Sequence, residues 1–373
     1  MRLEHGRISS RQLFFAVFCF LQGTILRSSF VVTVLGHEAW MTAISSLVFC
    51  VPILLVYGTL LKWYPDKNLF EINEEVFGTV AGKIVSALYL FFFFSLSSLN
   101  INDMGTFVGD FLIPQTPLLA IHGFLIVFAI YCVRKGLEGL VRPIAMFSLV
   151  AVLVVVVNFI LVVGDTEWSF LLPMFTHEPI EYVQGTHITA TIPMGETLVF
   201  LMIAPATKEK ERVTPALIGG VVASALFMLV VVIRDTVTLG PLLPYVTFPS
   251  FEAARSIGFS NFFARTETLY ALVLVSLTFI KVCLLLYITS LGLAQITGLK
   301  RYLPLITVSG AFATAYSMIV FKSGMEHLFW GVTVTPFSWT VFEYILPLLT
   351  LVTALIRRKK ASGQAGQKKE APA

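Results

Sequence analysis

Charge is scarce in this sequence: 13% of its 373 residues are Asp, Glu, Lys or Arg, against 57% that are hydrophobic. That leaves too few polar side chains to cover a water-soluble globule of this size, so lipid must be part of the solvent. Cysteine is scarce as well. Cys19, Cys50, Cys132 and Cys283 all lie in apolar stretches without paired spacing, which excludes a disulfide framework, a zinc site or a redox motif and leaves buried free thiols. The histidines, His5, His37, His122, His177, His187 and His327, show no metal-ligand spacing, and no phosphate loop or nucleophile elbow appears. Neither an enzyme nor a bound metal or cofactor is expected, and any pumping would have to run on ion gradients. The formal charge of +4 does not make a nucleic-acid surface, because the basic residues sit in short patches between apolar runs.

Those runs are what the sequence has in abundance. A helix needs about 20 apolar residues to cross a bilayer. Runs of that kind fall at 11–35, 39–61, 83–111, 117–133, 143–163, 186–206, 214–234, 266–296, 302–321 and 336–356, which predicts ten spans within residues 1–356. Assigning the intervening segments alternately to two sides puts 20 of the 26 Lys and Arg on the side that holds both termini. Positive residues stay in the cytoplasm, so that side is expected to be cytoplasmic. The basic start, with Arg2, Arg7 and Arg11, precedes a long apolar run and then Arg27, which reads as a retained first span rather than a cleaved signal. Residues 357–373, rich in Lys, Gln, Ala and Gly, are expected to be a disordered cytoplasmic tail. In the longest external loop, Ser250-Phe-Glu-Ala-Ala-Arg-Ser-Ile257 follows Pro249 and reads as a short helix, either a lid or a packed loop.

Two spans carry internal breaks. Span 1 is interrupted at Gln22-Gly23-Thr24 and span 6 at Ile192-Pro193-Met194-Gly195-Glu196, each in the first span of a five-span half. Taken singly, a Gly or Pro in a membrane helix marks close packing or a kink. As a matched pair with a carboxylate, they point to a midplane site where freed N–H and C=O groups meet a zwitterion such as an amino acid. Glu196 and Lys281 are the deepest ionisable residues. Lys281 either replaces a coupling cation or pairs with Glu196 or Glu343, since buried charges in membrane bundles find each other. Asn100, Asn102, Asp103 and Tyr287 are second-rank pore-lining candidates, with interhelical hydrogen bonding as the alternative. Arg234 and Asp235 read as an interfacial pair, and Arg265 with Glu267 as a similar cap on span 8. The ligand set read from these positions is Gly23, Thr24, Asn100, Pro193, Gly195, Glu196 and Tyr287, with Glu196, Lys281 and Glu343 as the coupling or ion-pair group.

Several stretches are specific enough to carry a resemblance over nearly the whole chain. They are Trp63-Tyr-Pro-Asp-Lys-Asn-Leu-Phe-Glu71, Pro193-Met-Gly-Glu-Thr-Leu-Val-Phe-Leu-Met202, Arg234-Asp-Thr-Val-Thr-Leu-Gly240, Phe248-Pro-Ser-Phe-Glu-Ala-Ala-Arg255, Arg265-Thr-Glu267 and Phe279-Ile-Lys-Val-Cys-Leu-Leu-Leu-Tyr287. In these the chain resembles the spore germination permeases, the B subunits of germinant receptors in endospore-forming bacteria, related to the amino acid–polyamine–organocation transporters. The resemblance implies an all-α membrane fold built as a five-plus-five inverted repeat, with spans 1 and 6 unwound around a small-molecule pocket walled by spans 3 and 8. It also implies a nutrient ligand, typically an L-amino acid, the inner membrane of a spore, and two partners: a larger A subunit and a lipoprotein C subunit. A working ion-coupled amino acid transporter is the alternative on the same fold. Arg27 departs from the family's apolar pattern, either reaching the external interface or bringing a guanidinium to the pocket, which would suit an acidic ligand.

Overall fold

The computed structural model describes residues 6–24, 29–256 and 266–370. Arg27, Ile257 and Arg265, which the sequence singled out, lie outside them. Within the described residues the chain is helical, and its one β-type contact is a parallel bridge between Ile8 and Thr207. In order come α1 (Ser10–Gln22), α2 (Ser29–Leu35), α3 (Met41–Trp63), α4 (Leu69–Phe77) and α5 (Thr79–Phe107). Then follow α6 (Leu118–Val133), α7 (Gly136–Val141), α8 (Ile144–Val162), α9 (Pro179–Thr191), α10 (Val213–Leu239) and α11 (Pro249–Arg255). The chain closes with α12 (Thr266–Thr297), α13 (Leu303–Ile319), α14 (Gly324–Thr333), α15 (Thr335–Thr340) and α16 (Leu346–Glu370). The backbone of α16 thus stays helical through residues 357–370, where Lys, Gln and Ala are good helix formers.

Local chemistry sets the helix ends. Ser9 and Gln12 exchange bonds at the start of α1, the Gln12 N–H donating to Ser9 Oγ at 3.2 Å and the Ser9 N–H to Gln12 Oε1 at 2.8 Å. Asn68 and Glu71 do the same for α4. Between α4 and α5 the chain reverses at Gly78, whose φ of 88° lies where a Cβ is strained. Gly82 then lets the two helices touch backbone to backbone, since a Cβ there would lie 2.5 Å from the Cα of Glu74.

Among the described residues six segments are long and apolar enough to cross a membrane, and a seventh is counted if α13 and α14, bent by 102°, form one span. The ten expected spans are not reached by length and apolarity, because α1, α6 and α9 have only 13, 16 and 13 residues. At a rise of about 1.5 Å per residue, none of the three covers a ~30 Å hydrocarbon core by itself. α12 is the spine: 78% of its apolar stretch is buried, against 28% for the segment containing α8. It packs on α1, α5, α6, α8 and α13. Outward-facing Val48, Phe124, Val127 and Ile160 are exposed, as expected where the bundle meets lipid.

Two polar clusters tie the loops to this frame. Arg234 and Asp235, read from the sequence as an interfacial pair, are instead completely buried. The Arg234 guanidinium donates to Asp235 Oδ1, to Asn158 Oδ1 at 2.8 Å, to the Ser250 carbonyl at 3.0 Å and to Tyr270 Oη at 3.0 Å, while Ser250 Oγ donates to Asp235 Oδ2 at 2.6 Å. This holds α11 on α8, α10 and α12, with Phe248 and Phe251 packed edge-on to Phe107 and Phe111. The helix expected over the external mouth is therefore fastened by charge-assisted bonds.

The second cluster centres on Glu38, in a 3-10 turn, Gly36–Glu38, that follows α2. Its buried carboxylate accepts from the N–H groups of Phe175 at 2.8 Å and Thr176 at 2.9 Å, from Thr176 Oγ1 at 2.6 Å and from Tyr182 Oη at 2.5 Å. Burial alone would raise its pKa, but these four donors together outweigh burial and lower it to about 2. A carboxylate with a depressed pKa contributes stability that is present above its unfolded value, about 4.3, and is lost as pH falls toward the folded value. Glu38→Gln is expected to cost about 3 kcal/mol at pH 7. In thermal melts of the detergent-solubilised protein, the gap between wild type and variant should narrow as pH drops below about 4.5.

Candidate functional site

The first break ends α1 at Gln22 and continues as a 3-10 turn through Gly23 and Thr24. Gly23 lies hard against α12: a Cβ would stand 3.2 Å from both the Leu277 carbonyl and Lys281 Cδ. Its own carbonyl accepts from Thr278 Oγ1 at 3.1 Å, and Gln22 Nε2 donates to the Ser224 carbonyl at 3.2 Å. At the second break α9 ends at Thr191, Ile192 is extended, the Ile192–Pro193 peptide is cis, and a 3-10 helix, Met194–Met202, follows. The backbone groups released from regular α-helix are thus at least partly re-satisfied inside protein, as lipid requires.

Lys281 joins these parts. Its ammonium, on the most buried helix, donates to the carboxylate of Glu196 and to Thr24 Oγ1 at 2.5 Å, and lies 4.8 Å over the ring of Phe20. Both charged side chains are at most 1% exposed. One cation therefore binds α1, the 3-10 segment and α12 together, and removing either member would leave a buried, unpaired charge. Glu343, the other partner considered for Lys281, lies in a π-helical turn, Val341–Ile345, and neither of its carboxylate oxygens has a hydrogen-bond partner among the described residues. It abuts Gly195, where a Cβ would overlap its carboxylate.

A cavity of about 30 Å³ adjoins the pair, with Thr24, Asn100, Asp103, Glu196, Lys281, His327 and Thr335 among its polar lining. That holds one or two waters and no amino acid, so this conformation is closed. Asn100 donates to the Leu96 carbonyl at 2.8 Å, one turn back on its own helix. Asn102 faces α13 instead, donating to the Ser317 carbonyl at 2.9 Å. Asp103 stands 3.4 Å from His327 Nδ1, whose ring stacks on Phe321 at 4.1 Å. Sequence reasoning weighed His327 only for metal spacing. It is carried on α14, whose start is capped by Ser323, the side chain of which accepts from the Glu326 N–H.

Tyr287 is not in this group. It is six residues beyond Lys281 on α12, about 9 Å along the axis, and lines a different cavity with Arg7, Asp66 and Lys208. Pro193 begins the 3-10 segment but does not line the central cavity.

Lys281→Met is expected to cost about 3–5 kcal/mol and to lower the yield of folded protein. Adding Glu196→Gln should recover much of the loss, whereas adding Glu343→Gln should recover none; size-exclusion profiles and thermal melts read both. Gly195→Ala should cost about 1–3 kcal/mol by overpacking, and Glu343→Ala in the same chain should relieve it in a double-mutant cycle.

The chain shares its fold with solved helical transporters. It superposes on a nucleobase-cation-symport-1 family transporter, Mhp1, with a TM-score of 0.68 at 12% identity, covering 91% of this chain and 76% of that one. It superposes on MhsT in complex with L-phenylalanine with a TM-score of 0.66 at 13% identity, covering 95% and 99%. Sequence narrows the class further. The pattern of the spore germination protein family matches residues 7–324, and the chain belongs to that family. Spore germination protein KB of Bacillus subtilis is 26% identical over 98% of this chain and 99% of its own length. The chain is thus a multi-pass membrane protein of the spore germination permeases.

Proposed function

We propose that this chain is the membrane-embedded subunit of a germinant receptor, which binds a small nutrient of the L-amino acid class beside the breaks at Gly23–Thr24 and Pro193–Glu196 and thereby triggers germination. The observation that carries the reading is the Lys281–Glu196 pair, which joins both breaks to α12 at the edge of a closed cavity. A zwitterion offers both charges needed to compete for such a pair, and the MhsT complex with L-phenylalanine has the same fold. In this reading the chain makes ten spans in a five-plus-five inverted repeat: α1 with α2 and α9 with the 3-10 segment are the unwound first and sixth spans, and α6 is a short fourth. Residues 1–356 form the permease domain and 357–373 a cytoplasmic tail. Both termini face the spore core, the bilayer is the spore inner membrane, and the A subunit and C lipoprotein are the partners that read its state. Ligand binding shifts the closed form only through a higher affinity for the open one.

A second reading, an ion-coupled amino acid transporter, is favoured by the symporter among its fold neighbours and by the ionisable lining of Asp103, Glu196, Lys281 and His327. Purified protein titrated with a panel of labelled L-amino acids, then tested in liposomes under a proton gradient, separates the two. Saturable binding without uptake is the expected outcome, and Glu196→Gln should weaken that binding about tenfold or more. Gradient-driven uptake would establish the transporter instead, and no binding across the panel would remove the amino acid reading.

A further inference from the structure

The cavity that holds Tyr287 has a volume of about 330 Å³, some eleven times that of the central one. One wall is built where residues 6–8 run beside 206–208: the Ile8 N–H donates to the Ala206 carbonyl at 3.1 Å and the Lys208 N–H to the Ile8 carbonyl at 2.9 Å. This pairing brings Arg7 and Lys208 to the same cavity. The remaining charged lining residues are Asp66, Glu71 and Lys210. Lys210 stands 3.4 Å from Asp66 and also donates to the Pro205 carbonyl, while Glu71 accepts the Asn68 N–H at 2.9 Å. Among the described residues the side chains of Arg7 and Lys208 have neither an acidic nor a hydrogen-bonding partner; their backbone N–H groups are engaged, by Glu138 and by the Ile8 carbonyl. Two further polar atoms of the lining are buried and unpartnered: Thr207 Oγ1, on a residue 1% exposed, and Gln295 Oε1.

Arg7 and Lys208 are exposed cations on the wall of one cavity, with no acidic side-chain partner among the described residues, and a buried hydroxyl without a partner costs free energy. One small anion answers both. We propose that this cavity binds a small carboxylate or phosphate, taken up by Arg7 and Lys208 with the Thr207 hydroxyl donating to it and the Gln295 amide turned to present its NH₂. Arg7 supplies the planar fork suited to either oxyanion and Lys208 a point charge. The site is distinct from the Lys281–Glu196 centre, shares no lining residue with it, and does not depend on the identity of the nutrient.

The test uses the full chain in non-ionic detergent, with labelled inorganic phosphate and labelled malonate in equilibrium dialysis at pH 7 and low salt. Saturable binding of one or both, near one per chain and weakened by added sodium chloride, is expected. The doubly substituted Arg7→Gln/Lys208→Gln protein should bind at least about tenfold more weakly. Thr207→Val should weaken binding several-fold with both cations kept. Size-exclusion profiles matching wild type keep the comparison to folded protein. Phosphate alone or malonate alone would assign the oxyanion. Saturable binding of neither, or binding that survives loss of both cations in a folded variant, would overturn the proposal.

Discussion

An ammonium in the centre of a lipid-embedded bundle has no bulk water to solvate it, and the middle of this fold is arranged to give Lys281 an anion. The lysine sits on the most buried helix. Its anion comes from a segment that has left the α-helical path, and its second acceptor, Thr24, from the end of a helix held close to α12 by the missing side chain of Gly23. The irregular backbone and the charge pair are therefore one feature. Without the breaks, Glu196 and Thr24 would belong to ordinary helical surfaces, and without the pair a buried charge would be exposed to apolar surroundings.

The same physics recurs at the far end of α10. Arg234 is among the largest fully buried side chains, and its five bonds reach α8, α11 and α12 as well as its neighbour Asp235. Such a cluster adds little net free energy over a well-packed apolar core, but it fixes geometry, because each donor direction of a guanidinium is set. The fold thus has an ionic tie at its centre and another beneath its longest loop helix.

The membrane class, the two breaks and the deep charges were legible in the sequence, because an ionisable side chain in a long apolar run is costly enough to stand out. The choice between Glu196 and Glu343 was not, since it depends on how α12 and the segment around Glu343 are rotated about their axes. Tyr287 shares a helix with Lys281 but lies both further along it and on a different face, so the two line different cavities. Arg234 and Asp235 looked interfacial because they end an apolar run; that α11 folds back and covers them follows from contacts remote in sequence. The span count depended on the assumption that each apolar run forms one helix of sufficient length, an assumption that α1, α6 and α9 do not meet. His327 needed the bend between α13 and α14, which no local periodicity announces.

The Glu38 carboxylate has a mechanical meaning beyond its contribution to stability. It follows α2 directly, while its donors Phe175 and Thr176 lead into α9 and Tyr182 lies on α9 itself. α2 and α9 also pack against each other. Two short helices that could have been separate flaps are joined through one carboxylate. A displacement of α2 that kept these bonds would carry α9 with it.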